Sequence, residues 1–220
     1  ELLFSELERN LGVAGEDEED AADEEAGAPD FPGVVGAMVE EFLWESAREQ
    51  GEERALGLGS LRLLGEYASE IGVFEELGLQ RLLDFSARWL LDESGLQEAR
   101  DLSAVLDALG DFCRWCEERH DIALWTQFGE TLGAVQRSLP RHARLRSRLS
   151  MGRGKGVNRI VSLENGVVLV TAKNGKEMSL LVSPADFADL REGDLVRLAG
   201  GKGGIVLGAT YPAELAGLLS

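Results

Sequence analysis

The chain contains two cysteines and two histidines, and their spacing is compatible with a zinc site. Cys113, Cys116 and His120 form the pattern C-x2-C-x3-H, and His142 would complete a tetrahedral set of ligands. The same residues extend a series of apolar positions at intervals of four and three, as in a buried helical seam: Leu102, Leu106, Leu109, Cys113, Cys116 and His120. Because free cysteine packs as a small apolar residue, we predict that this seam lies in the core and that the chain binds no metal or other cofactor.

A basic stretch, residues 131–163, holds eight Lys or Arg and no acidic residue. Four of its arginines are spaced i, i+4, i+7 and i+11, so they share one face of a helix. Guanidinium groups bind carboxylates and phosphates well, so we predict the following contacts for an anionic partner: Arg137, Arg141, Arg144, Arg148, Arg153, Lys155 and Arg159. The alternative is structural, a solvated linker or a brace to the acidic helical part.

Catalytic chemistry finds no support in the sequence. Two histidines and two cysteines, with no carboxylate pair at a glycine-rich strand end, build no triad and no catalytic metal site. The segment G-R-G-K-G, residues 152–156, lacks the spacing and the Ser or Thr of a phosphate-binding loop. We therefore predict that the protein is not an enzyme and has no catalytic residues.

The elements that position these residues are helical in the first two thirds of the chain. Residues 33–139 contain no proline, and their apolar residues recur with a helical period, which predicts a bundle of about five helices. The fifth helix is expected at about residues 122–136. Pro140 then starts a short basic helix of its own, with Leu145 and Leu149 on a face that packs against the neighbouring domain.

The last 60 residues alternate between apolar and polar side chains, which indicates strands. Candidate strands are residues 159–163, 167–172, 177–182, 195–198 and 205–207, with hairpin turns at Asn165-Gly166 and Asn174-Gly175. Ser183 and Pro184 start a short helix before the fourth strand. This order predicts a small five-stranded barrel of OB-like type, with an SH3-like barrel as the alternative.

The whole chain is therefore expected to be a multi-domain protein, helical first and β second. Residues 1–30 form an apolar helical plug and a flexible acidic tether, residues 31–136 the bundle, residues 137–156 the basic helix and a glycine-rich linker, and residues 157–215 the barrel. The plug is either an edge helix packed on its own domain or a docking peptide for another protein, through four apolar residues in both cases: Leu3, Phe4, Leu7 and Leu11.

Residues 85–124 carry a motif set of their own. An F-x3-W-L helix (Phe85, Trp89, Leu90), a Gly95-Leu96 turn and a long helix ending in F-x2-W (Phe112, Trp115) follow one another. This stretch resembles the helical core-binding half of tyrosine recombinases. The resemblance implies a helix-hairpin shape, and it transfers no catalytic domain and no functional residue.

Charge and composition limit the function further. The net charge of −18 comes from the first 130 residues, whereas residues 131–220 hold 13 basic and 7 acidic residues. Two cysteines and no long apolar run predict a cytoplasmic protein without a membrane span. We expect a non-enzymatic interaction or adaptor protein with a protein partner, whose basic helix contacts an anionic partner. The alternative is a nucleic-acid-binding protein that uses residues 137–159 and the OB-like barrel.

Overall fold

The structure, a computed structural model, describes residues 33–51, 58–96, 98–149, 156–201 and 204–219, which belong to one compact unit. The predicted docking peptide, the acidic tether, Arg153 and Lys155 lie outside these residues. The helices are α1 (Val34–Gln50), α2 (Arg62–Tyr67), α3 (Leu79–Asp84), α4 (Leu90–Asp92), α5 (Ala99–His120), α6 (Leu124–Arg148), α7 (Pro184–Asp189) and α8 (Ala216–Leu219). A π-helical turn, Phe85–Trp89, joins α3 to α4.

The centre of the helical part is the antiparallel pair α5 and α6. The predicted seam of α5 is buried over five of its six positions, and Cys113 and Cys116 are fully buried. The sixth position, His120, lies at the surface, where its ring contacts Trp115. Asp121 adopts the left-handed conformation with φ of 57°, which ends α5 and turns the chain into α6.

Helix α6 is a single helix of 25 residues with Pro140 inside it. The predicted break between a fifth helix and a separate basic helix is therefore wrong. Proline removes one helical hydrogen bond and disfavours a helix interior by about 3 kcal/mol. The helix continues because both of its halves are anchored by burial, with Leu139 in the helical core and Leu145 in a second core under the sheet.

Five antiparallel strands form one sheet in the order β3-β2-β1-β4-β5. Their bounds are β1 (Asn158–Glu164), β2 (Val167–Ala172), β3 (Glu177–Leu181), β4 (Leu195–Gly201) and β5 (Gly204–Tyr211). The predicted order of helices followed by five strands is thus confirmed. Within the described residues, however, β3 and β5 are not paired, so the predicted closed barrel is not formed.

The inner face of the sheet explains why it stays open. Its apolar residues pack with Leu145 and Leu149 from the end of α6 and with Phe187 and Leu190 in and after α7. These side chains cover the surface that strand closure would otherwise bury. Leu145 and Leu149 were predicted to pack against a neighbouring domain, and the structure packs them against the β part.

Local turn signals are confirmed by the backbone. Asn165 and Gly166 both have positive φ, 49° and 80°, as a tight hairpin turn requires. The Ser183 hydroxyl accepts a hydrogen bond from the Asp186 N–H, with Pro184 in the first turn of α7.

The outer face of β4 and β5 packs on the helical core. Leu195, Ala209, Tyr211 and Leu215 belong to the same buried cluster as the helices. Helices and sheet therefore share a core, while the predicted domain boundaries at residues 136 and 156 stay a prediction. No helix among the described residues has the length and apolar character needed to cross a membrane.

Candidate functional site

The basic face of α6 lies against the sheet and against α7. Arg141 forms a bidentate ion pair with Asp194, with Nη2 2.6 Å from Oδ1, and also donates to the Asp189 carbonyl at 3.0 Å. Asp194 is almost fully buried and also accepts the Arg191 N–H at 2.8 Å. Burial alone would raise the pKa of Asp194, but the ion pair with Arg141 and the nearby imidazole of His142 hold that pKa below its ordinary value.

Two further arginines of the predicted set bind α7. Arg144 lies 3.3 Å from Asp189, and Arg148 lies 2.6 Å from Asp189 and 3.0 Å from Asp186. Both arginines are exposed, so solvent screens these pairs. Their geometry nevertheless places the predicted basic face on a row of aspartates within the same chain.

Arg146 is a structural residue that the sequence did not indicate. It donates to Asp92 at 2.5 Å, to the Leu91 carbonyl at 2.5 Å and to the Thr210 carbonyl at 3.2 Å. Its guanidinium also lies 4.7 Å from the centre of the Tyr211 ring. Arg146 therefore ties α4, α6 and β5 together. It falls outside the i, i+4, i+7, i+11 spacing of the predicted face, and this different position on the helix was the signal that the sequence offered.

A buried polar cluster lies beside this contact. His142 Nδ1 is 3.1 Å from the Thr210 hydroxyl, and His142 Nε2 is 3.5 Å from Asp194 Oδ1. Burial lowers the pKa of His142, so the imidazole is neutral at pH 7. Hydroxyl, imidazole and carboxylate are the groups of a catalytic triad, but all three residues are buried here.

The zinc ligands considered from the sequence do not converge. Cys113 and Cys116 are in the helical core, His120 lies 3.8 Å from Glu41, and His142 contacts Thr210. Within the described part of the chain, no group of three metal-binding side chains is assembled.

Arg137 and Arg159 differ from the other candidate cations. Neither has an ion pair or a side-chain hydrogen bond among the described residues, and both are exposed. Among the described members of the predicted anionic-partner set, Arg141, Arg144 and Arg148 are therefore paired with aspartates of the same chain, whereas Arg137 and Arg159 are not. The role of this set in binding a partner stays a prediction.

Arg159 lines a cleft of about 730 Å³ on the outer face of β1 and β2, beside α8. Aliphatic side chains form much of its wall: Val157, Val161, Ala172, Leu195 and Ala216. Lys173 and the polar residues Asn158, Thr171 and Asn174 complete the lining. No acidic or aromatic residue is among the described lining residues.

A second exposed feature is the edge of β3. The backbone bonds at Ala172–Lys176 and Gly166–Val182 fix the hydrogen-bonded pairs of the β2–β3 ladder. Because such pairs alternate in an antiparallel ladder, the N–H and C=O groups of Glu177, Ser179 and Leu181 point away from β2. Among the described residues, these groups have no hydrogen-bond partner, and the Leu181 side chain is 86% exposed.

The motif residues that resemble tyrosine recombinases serve the helical core. Phe85 and Phe112 are fully buried, and Gly95 has a positive φ of 72° in the turn between α4 and α5. These positions account for the motif by packing, and the resemblance stays a prediction. Comparison of the chain with protein-family models, with curated proteins and with solved structures finds no significant match.

Proposed function

We propose that this protein is a non-enzymatic interaction protein whose protein partner adds a strand to the edge of β3. The observation that carries the proposal is the outward row of backbone groups at Glu177, Ser179 and Leu181. An open edge strand is a template for an extended peptide, with main-chain hydrogen bonds supplying affinity. The opposite edge is less accessible, because Arg146 of α6 donates to the Thr210 carbonyl on β5.

The sheet is interpreted as an OB-like barrel left open between β3 and β5. The three-strand meander, the helix before β4 and the pairing of β1 with β4 support this interpretation. The basic helix then has a structural part in the function. Its arginines fix the sheet on the helical part, so that the β3 edge is presented by a rigid body.

Proline substitution at the edge tests the proposal. The Ser179 N–H points outward, so Ser179→Pro removes an edge donor and leaves the β2–β3 ladder bonded. Extended peptides are selected for binding to the protein from a displayed library, and their affinities for variants are then measured. We expect a loss of about tenfold or more for Ser179→Pro and little change for the control Ser179→Ala. Equal affinity for the protein and Ser179→Pro would contradict strand addition.

Nucleic-acid binding is the second candidate, and exposed Arg159 and Lys173 without ion pairs in the described part of the chain favour it. Against it stand the pairing of Arg141 and its neighbours and the absence of aromatic residues from β1, β2 and β3. Fluorescence titration with single-stranded DNA and RNA at two salt concentrations tests it. Tight, strongly salt-dependent binding that is lost in Arg159→Ala would favour this candidate over the first.

A further inference from the structure

We propose that the cleft beside β1 binds a small anion carried on an aliphatic body, with a carboxylate or a phosphate as its head group. This site is separate from the β3 edge and does not depend on the proposed function. Its volume of about 730 Å³ is within the range of pockets that enclose small ligands.

The two cations of the cleft are placed to bind one head group. Arg159 on β1 lies directly opposite Thr171 on β2, and Lys173 follows Thr171 by two residues, in the turn after β2. Both side chains line the same cleft. Both are long and positively charged, so in the proposed complex they contact the same anionic group.

Both cations are available for a ligand. Neither Arg159 nor Lys173 has an ion pair or a side-chain hydrogen bond within the described residues. No acidic residue is among the described lining residues of the cleft, although the chain as a whole has a net charge of −18. Carboxylates and phosphates accept charge-assisted hydrogen bonds from such cations.

The remaining residues that line the cleft favour an aliphatic body for the ligand. Val161 stands 40% exposed at an irregularity in β1, and Leu195 is buried at the floor of the cleft. An aliphatic chain covers the exposed part of Val161, and this apolar surface gains free energy as it leaves water. Among the described lining residues, a nucleobase would find no aromatic ring to stack on, and a divalent cation would find no carboxylate ligand.

Isothermal titration calorimetry with four probes separates the contribution of the ligand's anionic head group to the binding affinity from that of its aliphatic body. Octanoate and octyl phosphate carry both parts, acetate carries only the head, and octanol carries only the body. We expect both complete probes to bind about tenfold or more tightly than acetate or octanol, since each part contributes independently. The tighter of the two complete probes identifies the preferred head group.

Matched variants locate the site. Arg159→Ala and Lys173→Ala are each expected to weaken octanoate binding by about tenfold. The control is Lys176→Ala, because Lys176 is an exposed lysine of the same hairpin that lies outside the cleft. This variant should leave octanoate binding unchanged. Val161→Asp should abolish binding, and its control Val206→Asp, at a similar 43% exposure, should retain it. Circular dichroism verifies that each variant is folded.

Three results would overturn the proposal. Octanoate and octanol binding with equal affinity would show that the cations do not contact the head group. Equal losses in Lys173→Ala and Lys176→Ala, or no heat of binding for either complete probe at millimolar concentration, would show that the cleft is not the site.

Discussion

Replacing Asp194 by alanine is the most informative test of how α6 holds the sheet. Asp194 and Arg141 have side chains that are 1% and 17% exposed, and the carboxylate accepts three hydrogen bonds, two from Arg141 and one from the Arg191 N–H. Removing one partner of a buried pair leaves an uncompensated charge and costs about 3–5 kcal/mol. We therefore expect the free energy of unfolding to fall by that amount.

The chain contains a matched control for this experiment. Glu40 and Arg62 form a bidentate pair with distances of 2.6 and 3.0 Å, but their side chains are 48% and 61% exposed. Exposed pairs contribute about 0–1 kcal/mol, so Glu40→Ala should change stability little. The two pairs differ mainly in burial, and the comparison isolates its effect.

Urea unfolding followed by circular dichroism provides the measurement. Should Asp194→Ala fail to fold, Asp194→Asn keeps the side-chain shape, removes the charge and replaces one acceptor oxygen by an amide donor. The pKa of Asp194 is held below its ordinary value, so its stabilising contribution is present above about pH 4 and is lost as the pH falls through the folded pKa. A loss for Asp194→Ala no larger than that for Glu40→Ala would refute the reasoning.

The remaining predictions concern the cores. Burial lowers the pKa of His142, so below about pH 6.5 the unfolded chain binds a proton at this imidazole more readily than the folded chain does. The free energy of unfolding should therefore fall there by up to about 1.4 kcal/mol per pH unit. In urea titrations His142→Gln should remove this pH dependence, and His120→Gln should not. Gly65→Ala should destabilise by about 1–3 kcal/mol, because the new Cβ would lie 3.1 Å from the backbone of α1, whereas Gly72→Ala meets nothing within 4 Å. The thiol of Cys113, whose pKa burial raises to about 12, should resist thiol reagents at pH 8 until the protein is denatured.

Sequence patterns that span only a few residues predicted the helices, strands and turns well. The seam of α5 follows from spacing, because buried positions recur every three or four residues. The Asn165-Gly166 turn follows from backbone preference, and the start of α7 follows from the Ser183 cap. Each of these features depends on contacts within about one turn of chain, which a single sequence displays.

Contacts between residues far apart in the chain could not be predicted from the sequence. Arg141 and Asp194 are 53 positions apart, and nothing in their types distinguishes them from other arginines and aspartates. Pro140 gave a local signal for a helix start, and burial of Leu139 and Leu145 outweighed it. For the same reason the barrel was predicted closed, since the helix that occupies its inner face comes from another part of the chain.

The passage of α6 through two cores bears on how such a chain can be rearranged during evolution. A gene segment that encoded only residues 156–220 would transfer strands without Leu145, Leu149 and the arginines that seat them. The second half of α6 must therefore accompany the sheet, and the sheet also needs helical partners for Leu195, Ala209 and Tyr211, which belong to the helical core. A fusion made at the glycine-rich linker would separate the strands from these packing partners, so a viable recombination breakpoint lies further upstream, before α6.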